Sequence, residues 1–65
     1  MAMQGEELKT IRTALNWSQK AMARELDMTP TFIGMMERGE RPIERRTELA
    51  VRHLAAHPES HAHSA

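Results

Sequence analysis

Closely spaced helix start and stop signals in the middle of the chain constrain its fold more than any other feature. Ser18 and Thr29 are both good N-caps, because a hydroxyl oxygen can accept a hydrogen bond from a free backbone N–H at a helix start. The residues Asp27-Met28 leave room only for a tight turn before Thr29. Gly39 favours the left-handed conformation that ends a helix. These signals predict two short helices joined by a tight turn, which is the layout of a helix-turn-helix.

A further helix is predicted on each side of this pair. Leu8, Ile11 and Leu15 recur at helical spacing and predict a first helix, which Asn16 can end. Pro42 predicts the start of a fourth helix, which runs to residue 56. The predicted core arc of that helix consists of Ile43, Thr47, Ala50, Val51 and Leu54.

No stretch of the chain alternates between apolar and polar residues as a strand does. The sequence therefore predicts a compact all-α domain of four helices, with five as the alternative, over residues 3–57. Residues 58–65 are polar, contain histidine and have no apolar period, so we expect a disordered tail there.

Composition bounds the function as well as the fold. A domain within a chain of 65 residues buries only about 60% of the surface that its unfolded form exposes, so a partner subunit would add stability. The chain has no cysteine, no apolar run of the roughly 20 residues that span a membrane and no signal-peptide pattern. We expect a cytoplasmic protein without a cofactor. We do not expect an enzyme, because no phosphate loop or nucleophile motif is present.

The formal net charge is zero, but the charges are unevenly distributed. Residues 38–57 carry five arginines against three glutamates, whereas residues 1–37 carry a net charge of −1. Four of these arginines fall close together, at Arg38, Arg41, Arg45 and Arg46. If DNA is the partner, we expect its backbone to contact this cluster. The alternative for any single arginine is a solvated salt bridge to Glu40, Glu44 or Glu48.

Several spaced features are specific in combination. They are Leu8, Arg12, Trp17-Ser18-Gln19, Met22-Ala23, Leu26, Thr29, Ile33 and Glu37-Arg38-Gly39. Through them residues 8–54 resemble the Cro and phage-repressor (XRE-type) helix-turn-helix domains. The resemblance implies a lambda-repressor-like fold and sequence-specific binding of double-stranded DNA. It also implies a transcriptional regulator, such as a repressor or autoregulator of a small bacterial or phage operon.

The resemblance implies roles for single residues too. Arg12 and Glu37 are expected to form a partly buried ion pair, with two solvated charges as the alternative. Gln19 matches a glutamine that holds a phosphate, and the third helix of such domains lies in the major groove. The implied base-reading residues are Thr29, Pro30, Thr31, Phe32 and Met35. The implied DNA-backbone contacts are Ser18, Gln19, Lys20, Arg38, Arg41, Arg45 and Arg46.

The third helix departs from the common family pattern, which usually has glutamine, asparagine, serine or arginine at outward positions. Thr31 alone can donate or accept a hydrogen bond there. Phe32 and Met35 offer apolar surface for thymine methyl groups, unless one of them turns inward or contacts a protein. Gly34 is costly inside a helix, and a close approach to DNA or to another helix would explain it.

We expect a homodimer, because a small domain with one major-groove helix gains specificity and stability from two-fold pairing. The expected contact lies on the fourth helix, at Leu49, His53 and Ala56, with half-sites about one helical turn apart.

Four histidines (His53, His57, His61 and His63) suggest a metal site, but no Cys or Asp completes a ligand set and Pro58 breaks the helix. We therefore expect none. The main alternative to DNA binding is an antitoxin-like or adaptor module whose Phe32 and Met35 contact a protein. The zero net charge favours that alternative, and the cluster of arginines disfavours it.

Overall fold

The computed structural model describes residues 2–58 and consists of four helices. These are α1 (Gly5–Ala14), α2 (Gln19–Leu26), α3 (Pro30–Glu37) and α4 (Arg45–Ala56). Helix α3 packs against α1 and α2, and α4 also packs against α1 and α2. The described residues contain no strand, and the predicted all-α fold is confirmed. No helix within them is long and apolar enough to cross a membrane.

Helices α1, α2 and α3 each end at a residue in the left-handed conformation. The φ angles of Asn16, Asp27 and Gly39 are 62°, 59° and 81°. After α3, the N–H of Glu40 donates to the carbonyl of Met35 at 2.8 Å, which completes a Schellman motif. Short polar side chains and glycine tolerate this backbone conformation best. The helix ends predicted at Asn16 and Gly39 are therefore confirmed.

Both predicted N-caps are also present. The Ser18 hydroxyl oxygen accepts a hydrogen bond from the N–H of Ala21 at 3.0 Å, at the start of α2. The Thr29 hydroxyl oxygen accepts one from the N–H of Phe32 at 3.1 Å, and Pro30 is the first residue of α3. These caps set the starts of α2 and α3, each of which is eight residues long.

The prediction that the fourth helix begins at Pro42 is wrong. The chain stays irregular through Glu44, whose backbone is extended with φ −67° and ψ 157°, and α4 begins at Arg45. Ile43 is nevertheless buried, because it enters the core from this irregular segment. Ile43 and Thr47 are four residues apart, as on one face of a helix, but Ile43 lies outside the helix that contains Thr47.

The core is formed by apolar residues from all four helices, from the segment before α1 and from the segment before α4. Its buried apolar residues are Met3, Leu8, Met22, Ala23, Ile33, Met36, Ile43, Val51 and Leu54. Trp17 packs against this cluster. Ala50 was expected in the core but is exposed, because the inward face of α4 consists of Thr47, Glu48, Val51 and Leu54.

Gly5 allows the start of α1 to approach the end of α3. A Cβ atom at Gly5 would overlap the backbone carbonyl oxygens of Met36 and Glu37. No side chain can be accommodated there without moving one helix from the other. This contact places Arg12, farther along α1, beside the last turn of α3.

Candidate nucleic-acid interface

The N-terminal end of α3 is accessible to a ligand. Thr29, Pro30 and Thr31 are exposed there, and Met35 is half-buried one turn later. Ile33 and Met36 on the opposite side are buried in the core. The helix therefore has one face available to a ligand, which contains four of the five predicted base-reading residues.

Phe32, the fifth predicted base-reading residue, does not point freely outward. It is half-buried and packs against the hydrophobic core. Its ring lines a cleft of about 220 Å³ together with Met28, Met36 and Thr47, beside the irregular segment before α4. Of the two apolar side chains in question, Phe32 is thus the one that turns inward.

The ion pair expected between Arg12 and Glu37 is present. Arg12 Nε donates to Glu37 Oε2 at 2.6 Å, and Nη2 donates to Oε1 at 3.2 Å. The side chains are only 12% and 5% exposed, so the pair is largely removed from water. Arg12 Nη1 also donates to the carbonyl of Trp17 at 2.8 Å. One arginine therefore joins α1, the following loop and the end of α3.

Gln19 is hydrogen-bonded to this ion pair. Its Nε2 donates to Glu37 Oε1 at 3.1 Å, across the interface between α2 and α3. Gln19 is the first residue of α2, where backbone N–H groups have no partner within the helix. The side chain proposed to hold a phosphate is thus positioned by the same carboxylate that binds Arg12.

Gly34 lies where α3 passes this part of α2. A Cβ atom added there would lie 3.1 Å from Nη1 of Arg38 and 3.5 Å from Nε2 of Gln19. The close approach predicted for Gly34 therefore involves side chains from its own helix end and from α2.

Three arginines of the cluster form ion pairs with nearby glutamates, which is the alternative that the sequence analysis gave to contact with DNA. Arg38 binds Glu40 at 2.9 Å, and this hydrogen bond and charge lower the pKa of Glu40 and raise that of Arg38. Arg45 pairs with Glu48 at 3.3 Å and Arg46 with Glu44 at 3.7 Å.

These arginine side chains remain accessible to a ligand in spite of their partners. Those of Arg45 and Arg46 are 70% and 90% exposed. An ion pair between two exposed side chains, such as that of Arg46 with Glu44, is weak, typically about 0.2–1 kcal/mol, so a phosphate can replace the glutamate. Arg41 and Lys20 are exposed, and neither forms an ion pair with another described residue.

Glu48 is a buried acid that the sequence pattern did not indicate. It is 3% exposed, and its carboxylate lies between Arg45 and Arg52. Arg52 also binds Glu7 of α1 at 3.0 Å, which links α4 to α1. The hydrogen bond from Arg52 lowers the pKa of Glu48, against the opposing effect of burial. The only sequence signal for this network is an acid three residues after one arginine and four residues before another.

The residues predicted to form a dimer contact lie on one exposed side of α4. Leu49 is 51% exposed, the largest such fraction for a big apolar side chain among the described residues. His53 and Ala56 are exposed at positions one and two turns later. The rings of His53 and His57 lie 4.6 Å apart.

The described residues contain no group of three or more side chains placed to hold a metal ion. His61 and His63 lie outside the described residues.

Comparison with known families agrees with this geometry. The helix-turn-helix family model matches residues 8–47, which include α1, α2, α3 and the start of α4. No curated protein and no solved structure matches the chain. The matched segment contains the ion pair, both caps and all the predicted base-reading residues.

Proposed function

Because the chain belongs to the Cro and phage-repressor-like (XRE-type) helix-turn-helix family of DNA-binding regulators, we propose that it represses transcription by binding a palindromic operator as a homodimer. The observation that carries the proposal is the exposed N-terminal end of α3, whose Phe32 lines the same cleft as Arg41 of the arginine cluster. Residues 3–57 would form the DNA-binding unit. Such a repressor would act by occupying a promoter, and an autoregulator would occupy its own.

In this proposal α3 enters the major groove, where a helix fits and base pairs are distinguishable. Thr31 supplies a hydroxyl that can bond a base edge. Pro30 and Met35 supply apolar surface, which suits thymine methyl groups better than the polar edges of guanine or cytosine. Ser18, Gln19 and Lys20 at the start of α2 would contact one strand of the backbone.

The arginines before and at the start of α4 would contact the adjacent phosphates. Arg41 is the cation of the cluster without an intramolecular ion pair in the described part of the chain. Arg45 and Arg46 would exchange their glutamates for phosphates on binding, whereas Arg38 would bind a phosphate through Nη1 and keep Glu40. The negative charge of those glutamates explains how a chain of zero net charge can still present basic groups to DNA.

The test is selection of binding sites from a random duplex library, followed by titration of the selected site against salt. We expect an enriched palindrome whose affinity falls as salt rises. The double variant Arg45→Ala/Arg46→Ala should bind more weakly. It should also reduce the salt slope, which is the slope of log affinity against log salt concentration, by about two for each half-site. The matched control is Lys9→Ala/Arg24→Ala, which removes the same charge from exposed positions elsewhere on the domain. If both double variants lose the same affinity, the arginines act only by non-specific electrostatic attraction and the proposed contacts are refuted.

The homodimer would form through the exposed side of α4. Leu49→Glu places a charge in the proposed contact without touching the core, since Leu49 is 51% exposed. We expect the wild type to sediment as a dimer at micromolar concentration and the variant as a folded monomer with weaker operator binding. A wild type that sediments as a monomer would refute this part of the proposal.

A second candidate function is binding of a protein, as in an antitoxin or adaptor. It is favoured by the cleft beside α3, whose lining includes the apolar side chains of Met28, Phe32 and Met36. Binding of a protein there would depend little on salt, whereas DNA binding weakens steeply. If the random library yields no enriched site, Phe32→Ala becomes the variant to test against candidate protein partners.

A further inference from the structure

Two polar side chains converge over the only residue of α3 that has no side chain. The point that a Cβ atom of Gly34 would occupy lies 3.1 Å from Arg38 Nη1. The amide nitrogen and oxygen of Gln19 lie 3.5 and 3.6 Å from the same point. Gly34 itself is buried beneath these two end groups.

Each of the two side chains is held from behind by a carboxylate. Gln19 Nε2 donates one hydrogen to Glu37 Oε1, and Glu37 is in turn fixed by Arg12. Arg38 uses Nε and Nη2 to bind the two oxygens of Glu40, at 2.9 and 3.2 Å. These bonds leave the second amide hydrogen of Gln19 and the Nη1 group of Arg38 as donors above Gly34.

We propose that Gly34 is a positioning residue for DNA binding, which keeps open a site where one backbone phosphate contacts both Gln19 and Arg38. The proposal rests on the proposed operator binding and adds to it a shared site and the reason for a glycine there. The phosphate enters between the two donors and takes the space that a side chain at position 34 would fill. A guanidinium and an amide offer it converging N–H groups.

The fold alone does not favour glycine at this position. An interior helical glycine is less stable than alanine, because it loses more backbone freedom on folding. Its φ angle is helical, so alanine introduces no backbone strain. The added methyl group would meet only the flexible end of Arg38 closer than ordinary contact distance. Alanine should therefore stabilise the domain while it obstructs the phosphate site.

The experiment measures thermal stability and operator affinity of the full chain with Gly34→Ala, on the site selected for the wild type. We expect the Tm to rise by about 4 °C. We expect affinity to fall about tenfold for each half-site, the change that corresponds to 1.4 kcal/mol. The salt slope should decrease by about one for each half-site. A merely structural role for Gly34 would move stability and affinity in the same direction.

A double-mutant cycle tests whether Gly34 acts through Arg38. Arg38→Ala should weaken binding about as much as Gly34→Ala does, and the double variant should bind little more weakly than either single variant. Arg24→Ala, an exposed arginine at the other end of α2, is the matched control and should leave affinity unchanged.

The outcomes separate this inference from the proposed function. Unchanged affinity of Gly34→Ala on a site that the wild type binds would overturn the inference and leave operator binding intact. Additive losses in the cycle would overturn the shared phosphate site. A wild type with no preferred DNA site would instead refute the proposed function. If Gly34→Ala is unstable, an Arg38→Ala variant with full operator affinity would overturn the inference independently.

Discussion

The buried ion pair between Arg12 and Glu37 should contribute a large part of the stability of this domain. Replacement of Glu37 by leucine leaves the Arg12 guanidinium 12% exposed, with the Trp17 carbonyl as its remaining partner. Removing one member of a buried pair costs about 3–5 kcal/mol, because the other charge stays buried without its counterion. A domain of this size has a total stability of about 3–10 kcal/mol. We therefore expect Glu37→Leu to lower the Tm by about 15–30 °C, or to unfold the protein outright.

The assay is urea unfolding followed by circular dichroism, at one protein concentration because dimerisation would add to stability. A double-mutant cycle with Arg12→Met, Glu37→Leu and the double variant isolates the interaction. The double variant should be more stable than either single variant, since no unpaired charge remains. The chain supplies its own control in Arg38 and Glu40, which form the same two-point contact at the surface.

Burial is the quantity that this comparison tests. The Arg38 and Glu40 side chains are 57% and 55% exposed, so their coupling should be at most about 1 kcal/mol. The coupling between Arg12 and Glu37 should exceed it several-fold. Equal coupling energies for the two pairs would refute the argument that removal from water gives the inner pair its weight.

Two further predictions concern packing and pH. Gly5→Ala should destabilise the domain by about 1–3 kcal/mol in urea unfolding, because the added methyl overlaps the end of α3; stability equal to the wild type would contradict that close approach. Glu48 has a lowered pKa in the folded state, so its stabilising effect is full above its unfolded pKa and is lost as pH falls through the folded value. The Tm of Glu48→Gln should therefore fall less than that of the wild type between pH 5 and 3, about the range in which carboxylates titrate. The control variant Glu44→Gln, at an exposed position, should lose as much Tm as the wild type over the same range.

Local chemistry made the helix-turn-helix predictable from the sequence. A hydroxyl cap at Ser18 or Thr29 and a left-handed residue at Asn16 or Gly39 act within a few residues of themselves. Their effect does not depend on how the helices pack. The boundaries of α2 and the start of α3 followed from these signals. The ion pair followed from the resemblance to a family and not from the spacing of its members.

The start of α4 was not predictable in the same way. Pro42 fits the first turn of a helix, and Ile43 fits a helical period with Thr47. Both observations are equally compatible with an extended segment that turns Ile43 into the core, which is what the structure contains. The spacing of apolar residues shows which side chains are buried, but it does not show whether the backbone that carries them is helical or extended.

The remaining features depend on which helices meet. The sequence by itself determined where α1, α2 and α3 end and that the domain is helical, since caps and apolar periods act locally. Only the tertiary structure decided that Glu48 is buried, that Gly5 touches α3, and that Gln19 and Arg38 meet over Gly34. Each of these contacts joins elements far apart in the chain or depends on side-chain direction. The burial or exposure of such residues is set by a neighbouring surface that no local pattern encodes.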